Sequence, residues 1–344
     1  MKQSNDFFQT LRGYLTVFLP SQKCCSENTR KAYREVLNSL IDYLQSEKRI
    51  GLGQVSFELF DETLVLEFLD WLQTTRHLTA STRNHRLMVL RSFFKYAGMV
   101  DCAQIDLHMK LKKIPTQNEQ GRIVEFLTEN ALKALLTQPD ISKISEYRNM
   151  VFMTLMYDSA ARCSELLDLR VQDLRLDSSH PTAYLTGKGN KMRLVPLMLQ
   201  TARHCEQYLA QFHPEPTKKG SDYFFFTVSH GERHRMSPDN AACFMKRYGE
   251  QARYSCPEIP NRVHPHQLRH TRAIHLYRDG MPLALLSEFL GHANVETTKI
   301  YAYADTEMKR AAIQKGEKAR GTISDAEPIW KNDDEMLRKL CGLR

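Results

Sequence analysis

The sequence predicts a two-domain, mainly helical protein with a small β-hairpin. Three observations lead there. The chain has 344 residues, more than the roughly 250–300 that one core usually serves. Apolar residues recur at helical spacing through the first hundred residues and again beyond residue 128. Only residues 183–196 change character, to short β-prone runs around a turn-rich segment. Apolar residues make up 42% of the chain and aromatics 9%, which supplies real cores and excludes a disordered chain.

Ser26-Glu27-Asn28-Thr29 opens a helix whose apolar positions include Ala32, Tyr33, Val36, Leu37 and Leu40. A second follows Asp61 and carries Leu64, Val65, Phe68, Leu69 and Leu72. A third is expected from near Ser81 to Tyr96, stopped by Gly98. On its wheel Leu87, Leu90 and Phe94 share one face. Asn84, Arg91 and Lys95 fall on another stripe, within about 40° of each other. That stripe suits either a DNA groove or an ordinary solvated face. Residues 110–122 break the pattern with Lys110, Lys112, Lys113, Pro115 and Gly121, and read as a basic linker that leaves a helical front at 1–109.

The second region is expected over 123–320. Thr128 caps a helix through Leu136, and another spans about 146–159. Tyr184-Leu185-Thr186 and Arg193-Leu194-Val195 flank Gly187-Lys188-Gly189-Asn190-Lys191, the pattern of a β-hairpin. Helices follow at about 198–211, 238–251, 266–279, 282–290 and 295–303, with Pro282 in a first turn and Gly291 as a stop. In the tail, 321–344, Asn332 caps a short helix carrying Met336, Leu337, Leu340 and Cys341. A helix so short needs a partner surface.

The balance of 48 Lys+Arg against 40 Asp+Glu gives +8, compatible with a polyanionic partner or with plain solubility. Eight cysteines form no CxxC pair, which removes the zinc-ribbon and thioredoxin classes and reads as free thiols of a reducing cytosol. No signal-peptide pattern and no apolar run of about 18 residues occurs, so a soluble cytoplasmic protein without a membrane partner is expected.

Four segments carry possible chemistry. Arg162 and Glu165 lie three apart on one helical face. Lys188 sits between two glycines at a hairpin tip. His264-Pro265-His266-Gln267-Leu268-Arg269-His270 sets His266 and Arg269 at i, i+3. Gly291-His292 is followed nine residues later by Tyr301. Taken singly these read as a surface ion pair, a charged tip, a thin zinc signal and a packing tyrosine. Residues 282–303 also resemble a helix-turn-helix. Together they suit phosphodiester chemistry. Guanidinium groups bond the non-bridging oxygens that gain charge under attack. A phenol, with a pKa near ~10, needs arginines and a neutral histidine to become a nucleophile. A lysine delivers the proton that the leaving oxygen requires. Three further readings stay open: a non-catalytic DNA-binding regulator, a metal-dependent hydrolase built on His264, His266 and His292, and a relaxing topoisomerase.

Arg162, Lys188, His266-x-x-Arg269, His292 and Tyr301 stand as in the tyrosine recombinase (phage integrase) family, and the chain resembles its simple Xer-like two-domain type. Gly-Lys-Gly-Asn-Lys before Arg-Leu-Val-Pro-Leu, Pro-His-Gln-Leu-Arg-His, Leu-Gly-His and Thr-Thr-Lys-Ile-Tyr carry the resemblance. It implies a helical core-binding domain and an α+β catalytic domain that clamp duplex DNA. It implies cleavage and religation through a 3′-phosphotyrosyl bond at Tyr301, without metal, ATP or other cofactor, and strand exchange through a Holliday junction. Arg162 and Arg269 would hold the phosphate, Lys188 protonate the leaving oxygen, His266 move a proton, His292 bond the phosphate and Glu165 support the site. Lys191 stands as the fallback for Lys188, and Tyr303 as the lesser candidate beside Tyr301. Asn84, Arg91, Lys95, Lys110, Lys112 and Lys113 would meet DNA. The partners implied are a short inverted-repeat site and three further copies in a tetramer on two duplexes, with the tail docked on a neighbour. Ser159-Ala160-Ala161 and Cys163 depart from the usual residues around the first arginine.

Overall fold

The computed structural model describes residues 2–118, 124–177, 179–187, 189–214, 219–304 and 334–343. The chain forms two compact units, Met1–Arg122 and Ile123–Arg344.

The first unit is helical. α1 (Lys2–Gly13) runs on into a π-helical segment, Tyr14–Gln22. α2 (Glu27–Ser46), α3 (Glu62–Thr74) and α4 (Ala80–Val100) start at Ser26, Asp61 and Thr79, whose side chains accept from the amides of Thr29, Leu64 and Thr82. Each cap satisfies an amide that the helix itself leaves bare. Phe7, Phe60, Phe68, Trp71, Phe93 and Phe94 fill the centre, with the Phe7 ring 5.1 Å from Phe60 and 5.7 Å from Phe93. Leu87, Leu90 and Phe94 are all buried, as the wheel of α4 predicts.

Two expectations need correction here. α4 does not stop before Gly98 but runs to Val100. A Cβ at Gly98 would lie 3.3 Å from Cγ1 of Ile105 and 3.4 Å from its Cα. The glycine therefore lets the next segment fold back against the helix. The basic stretch from Lys110 is not wholly linker either. Residues through Lys113 close a fifth helix, α5 (Ile105–Lys113), held by buried Leu107 and Leu111.

The polar stripe of α4 grips the end of that helix. Arg91 donates from Nε to the Leu111 carbonyl at 2.9 Å and from Nη2 to those of Lys112 and Ile114. Arg83 donates to Pro115 O at 3.1 Å, and Asn84 exchanges two bonds with the backbone of Gln117, at 2.8 and 2.9 Å. The last carbonyls of α5 have no partner within the helix, so a guanidinium is a natural cap. Asn84 and Arg91, expected at DNA, thus bind protein backbone. Lys110 pairs with Asp106 at 2.7 Å, while Lys95, Lys112 and Lys113 are exposed.

The second unit is built around α7 (Ile144–Ser159), buried on most of its circumference. α6 (Glu129–Leu136) is capped by Thr128, and the short α8 (Cys163–Asp168) follows α7. The expected hairpin is present as β2 (Thr182–Thr186) and β3 (Met192–Pro196), in antiparallel register with Leu185 opposite Arg193. A short strand, β1 (Leu174–Arg175), adds to β2 and completes a three-stranded sheet. A second hairpin, β4 (Phe226–Ser229) with β5 (Glu232–Arg235), was not expected. It turns on His230 and Gly231, with φ of 51° and 81°, the positive values that a two-residue hairpin turn demands. α9 (Leu199–Phe212) lies between the sheets in sequence. α10 (Pro238–Ser255), α11 (Pro265–Arg278), α12 (Leu283–Leu290) and α13 (Lys299–Ala304) follow. In the tail, Asp334–Leu340 is helical, with Met336 and Leu340 exposed; Asn332 and the Leu337 side chain lie outside the described residues. No helix among the described residues is long and apolar enough to cross a membrane. All eight cysteines are free.

The packing of α10 gives a direct check. A Cβ on Gly249 would lie 2.5 Å from Cγ2 of Val263, closer than two carbons tolerate. Gly249→Ala should destabilise the protein by about 1–3 kcal/mol. Adding Val263→Ala should recover part of that loss in a denaturant titration; no recovery would mean the pair is not in contact.

Candidate active site

α7 ends at Ala160, which adopts the left-handed conformation with φ 46°. The turn delivers Arg162 to the start of α8. Glu165, one turn on, is 4% exposed. Its Oε2 accepts from the Arg162 amide at 2.9 Å and from Arg193 Nη2 at 2.8 Å, and its Oε1 accepts from Arg162 Nη1 at 2.5 Å. Burial raises the carboxyl pKa, but the bonds from Arg193 and Arg162 outweigh it and hold the group below its ordinary value. Glu165 is therefore an anion with two cations attached.

Three arginines meet at one helix end. The last carbonyls of α12 lack partners within the helix and carry the negative end of its dipole. Arg193 Nε donates to Phe289 O at 3.1 Å. Arg269 Nη2 donates to Leu290 O at 2.7 Å, and Arg162 Nη2 to Gly291 O at 3.0 Å. Arg269, 3% exposed on α11, also donates from Nη1 to Ala160 O at 2.6 Å. Its pKa falls to about 10, through burial first and the charge of Arg162 second, so it remains a cation at neutral pH.

Gly291 ends α12 with φ 63°, and the His292 amide closes the turn onto Ser287 O at 3.0 Å. A Cβ there would meet Arg193 Nη1 at 3.0 Å. His292, next along, pairs its Nδ1 with Thr298 Oγ1 at 2.8 Å. Its pKa drops to about 4, from burial and then from Arg269, Arg162 and Arg193. His266 lies one turn before Arg269 with its residue surface exposed, and desolvation of the ring, then the charges of Arg269, His264 and Arg162, lower its pKa.

Tyr301 lies in the first turn of α13 and is 1% exposed. Burial raises its pKa, while Arg269 and Arg162 pull the other way. Its hydroxyl lies 2.9 Å from Nδ1 of His270. Burial, then the charges of His266, Arg269 and His264, take that imidazole to about 4. Lys188 and the Tyr303 side chain lie outside the described residues. The turn end of the hairpin does reach the site: a Cβ on Gly187 would lie 3.1 Å from Glu165 Oε1 and 3.8 Å from Arg162 Nη1. The structure thus gathers Arg162, Glu165, Arg269, His292 and Tyr301. Among the described residues no three His, Cys, Asp or Glu side chains group as metal ligands would.

Two residues of the site were not singled out from the sequence. His270 stands beside Arg269 in the same motif, and only the fold shows that it faces Tyr301. Arg193 lies on the second strand of the hairpin, where alternation makes it half-buried; a charge on an inward-facing strand position was the available signal.

Comparisons with known proteins show the family. The model of the phage integrase family matches residues 125–308, and that of the phage integrase N-terminal SAM-like domain matches residues 8–101. A putative integrase/recombinase y4rC of Sinorhizobium fredii is 30% identical over 334 residues, covering 97% of each chain. A tyrosine recombinase XerD of Staphylococcus epidermidis is 28% identical, over 85% of this chain and 93% of its own. In fold, the chain is similar to the XerH site-specific recombinase in a post-cleavage complex with palindromic difH substrate, with a TM-score of 0.64 at 21% identity, over 92% of this chain and 90% of that one.

The depressed imidazoles predict a pH dependence. In the unfolded chain a histidine protonates near ~6.5, whereas His270 and His292 resist protonation until about 4. Their contribution is full above the unfolded value and declines as pH falls from it toward the folded value. Denaturant midpoints should therefore drop between roughly pH 6.5 and 4.5, above the main carboxylate range. The double variant His270→Gln/His292→Asn should show a shallower drop; an unchanged slope would contradict the buried neutral imidazoles.

Proposed function

The chain belongs to the phage integrase family, the tyrosine recombinases that cut and rejoin DNA, and from that premise we propose that it cleaves DNA through Tyr301. The observation that carries this reading is the buried Tyr301 hydroxyl, bonded to a neutral histidine and lying in the field of Arg269 and Arg162. The phenol oxygen attacks a backbone phosphorus, the bond from phosphorus to the 5′ oxygen breaks, and a 3′-phosphotyrosyl link forms. The 5′ hydroxyl of a partner strand reverses the step, so the bond energy is conserved and no ATP is needed.

Each guanidinium has five N–H donors. Arg162 and Arg269 each commit two nitrogens to protein acceptors, which leaves donors for the non-bridging oxygens. Held in place before the reaction, they stabilise charge as it develops. His292, fixed by Thr298, adds a further contact to the phosphate. At rest the proton stays on Tyr301, because its phenol is raised and the His270 imidazole is lowered. Transfer to His270, and onward by way of His266, accompanies the attack as negative charge builds on the phosphate. Lys188 supplies the proton for the leaving 5′ oxygen. Lys95, Lys112 and Lys113, exposed in the first unit, contact phosphates and contribute affinity without sequence preference. The assembly is a tetramer on two duplexes bearing short inverted repeats, with the tail helix docked on a neighbour.

A nicked duplex that on cleavage loses the short fragment bearing the new 5′ hydroxyl traps the adduct. Tyr301→Phe should bind this DNA and form none, while Tyr303→Phe should still form it. Arg162→Ala and Arg269→Ala should each slow adduct formation by about a hundredfold or more. EDTA should leave the wild-type rate unchanged. An adduct formed at a normal level by Tyr301→Phe ends the proposal.

A further inference from the structure

Arg193 has a place in this site that its role as one more surface cation would not require. It sits on β3, yet its side chain turns back and is only 12% exposed. One guanidinium reaches two separate elements. Nη2 takes Glu165 Oε2 at 2.8 Å on α8, and Nε takes Phe289 O at 3.1 Å at the end of α12. The hairpin is also seated from its other strand. The Gly187 amide closes the tip onto Lys191 O at 2.8 Å. A Cβ on Gly187 would lie 3.1 Å from the other Glu165 oxygen, so the absence of that carbon leaves the carboxylate room beside the hairpin. The hairpin therefore meets one carboxylate twice, by the bond from Arg193 on β3 and by close packing at Gly187 after β2, and that carboxylate in turn holds Arg162.

We propose that Arg193 is a positioning residue: through Glu165 and Phe289 O it fixes the β2–β3 hairpin against the phosphate site, so that the hairpin lysine next to Gly187 meets the leaving 5′ oxygen. This rests on the reading above, in which Lys188 is the proton donor. Arg193 itself touches neither phosphate nor leaving group. A lysine in its place keeps the charge but lacks the planar fork that spans both acceptors.

The chemistry offers a selective test. A substrate with sulfur in place of the leaving 5′ oxygen departs as a thiolate, whose conjugate acid has a pKa near ~8.5, and needs no general acid. A residue that acts only by placing the proton donor becomes dispensable on that substrate. Single-turnover adduct formation is measured with both substrates, using the full-length protein. On ordinary DNA, Arg193→Met should be slowed by about a hundredfold and Arg193→Lys by less. On the sulfur substrate both should return to within a few-fold of wild type, as should Lys188→Ala. Arg162→Ala should stay slow on both, since phosphate stabilisation is still lost. Arg193→Met slowed equally on the two substrates would overturn the proposal and make Arg193 a general support of the site. An unslowed Arg193→Met would overturn it too. Because the Arg193→Lys variant retains charge and stem, its selective rescue stands even if Arg193→Met folds poorly. Failure of the wild-type protein to form an adduct with either substrate would instead remove the reading beneath.

Discussion

The site depends on one buried carboxylate holding two guanidinium groups, with a third close by. Bringing Arg162, Arg193 and Arg269 together costs repulsion and desolvation, which is visible in the lowered pKa of Arg269. Glu165 offsets one charge outright and fixes two of the arginines. The rest of the compensation comes from the end of α12, whose bare carbonyls each receive one guanidinium. That arrangement needs Gly291 to stop the helix there, and it needs α7 to end in the left-handed turn at Ala160. One carboxylate faces three guanidinium groups, an excess of positive charge that suits the phosphate-binding role proposed above.

The same field governs the nucleophile. Tyr301 lies among Ala273, Ile274, Leu286 and Leu290, in a cluster with almost no access to water. Its hydroxyl is satisfied by His270, so no buried donor is left unpaired. A phenol held neutral in this way does not react with stray acceptors. Its pKa is pulled down by Arg269 and Arg162, the two arginines proposed above to hold the phosphate.

Local signals made much of this legible in the sequence. Caps at Ser26, Asp61 and Thr128 act within one helical turn, so their meaning does not depend on the rest of the fold. The hairpin around Lys188 and the stop at Gly291 are local for the same reason. The charged motifs converged because they sit at element ends, where the fold can bring them together. Other features depended on distant partners. Gly98 carries the same residue signal for a helix stop and for close packing, and only the position of Ile105 decides between them. Asn84 and Arg91 sit on a polar stripe, but a peptide carbonyl and a phosphate oxygen are both acceptors, and sequence does not distinguish them. Arg91 bonds three carbonyls at the end of α5. His270 was visible as a histidine, but its partner lies 31 residues away.

The central claim is that Tyr301, and no neighbouring side chain, carries the DNA. Tandem mass spectrometry of the trapped adduct, digested with protease and nuclease, measures this directly. Trypsin should release residues 300–309 as one peptide containing Tyr301 and Tyr303. The account predicts fragment ions that place the nucleotide mass on Tyr301. A nucleotide on Tyr303, or on a residue outside this peptide, would contradict it.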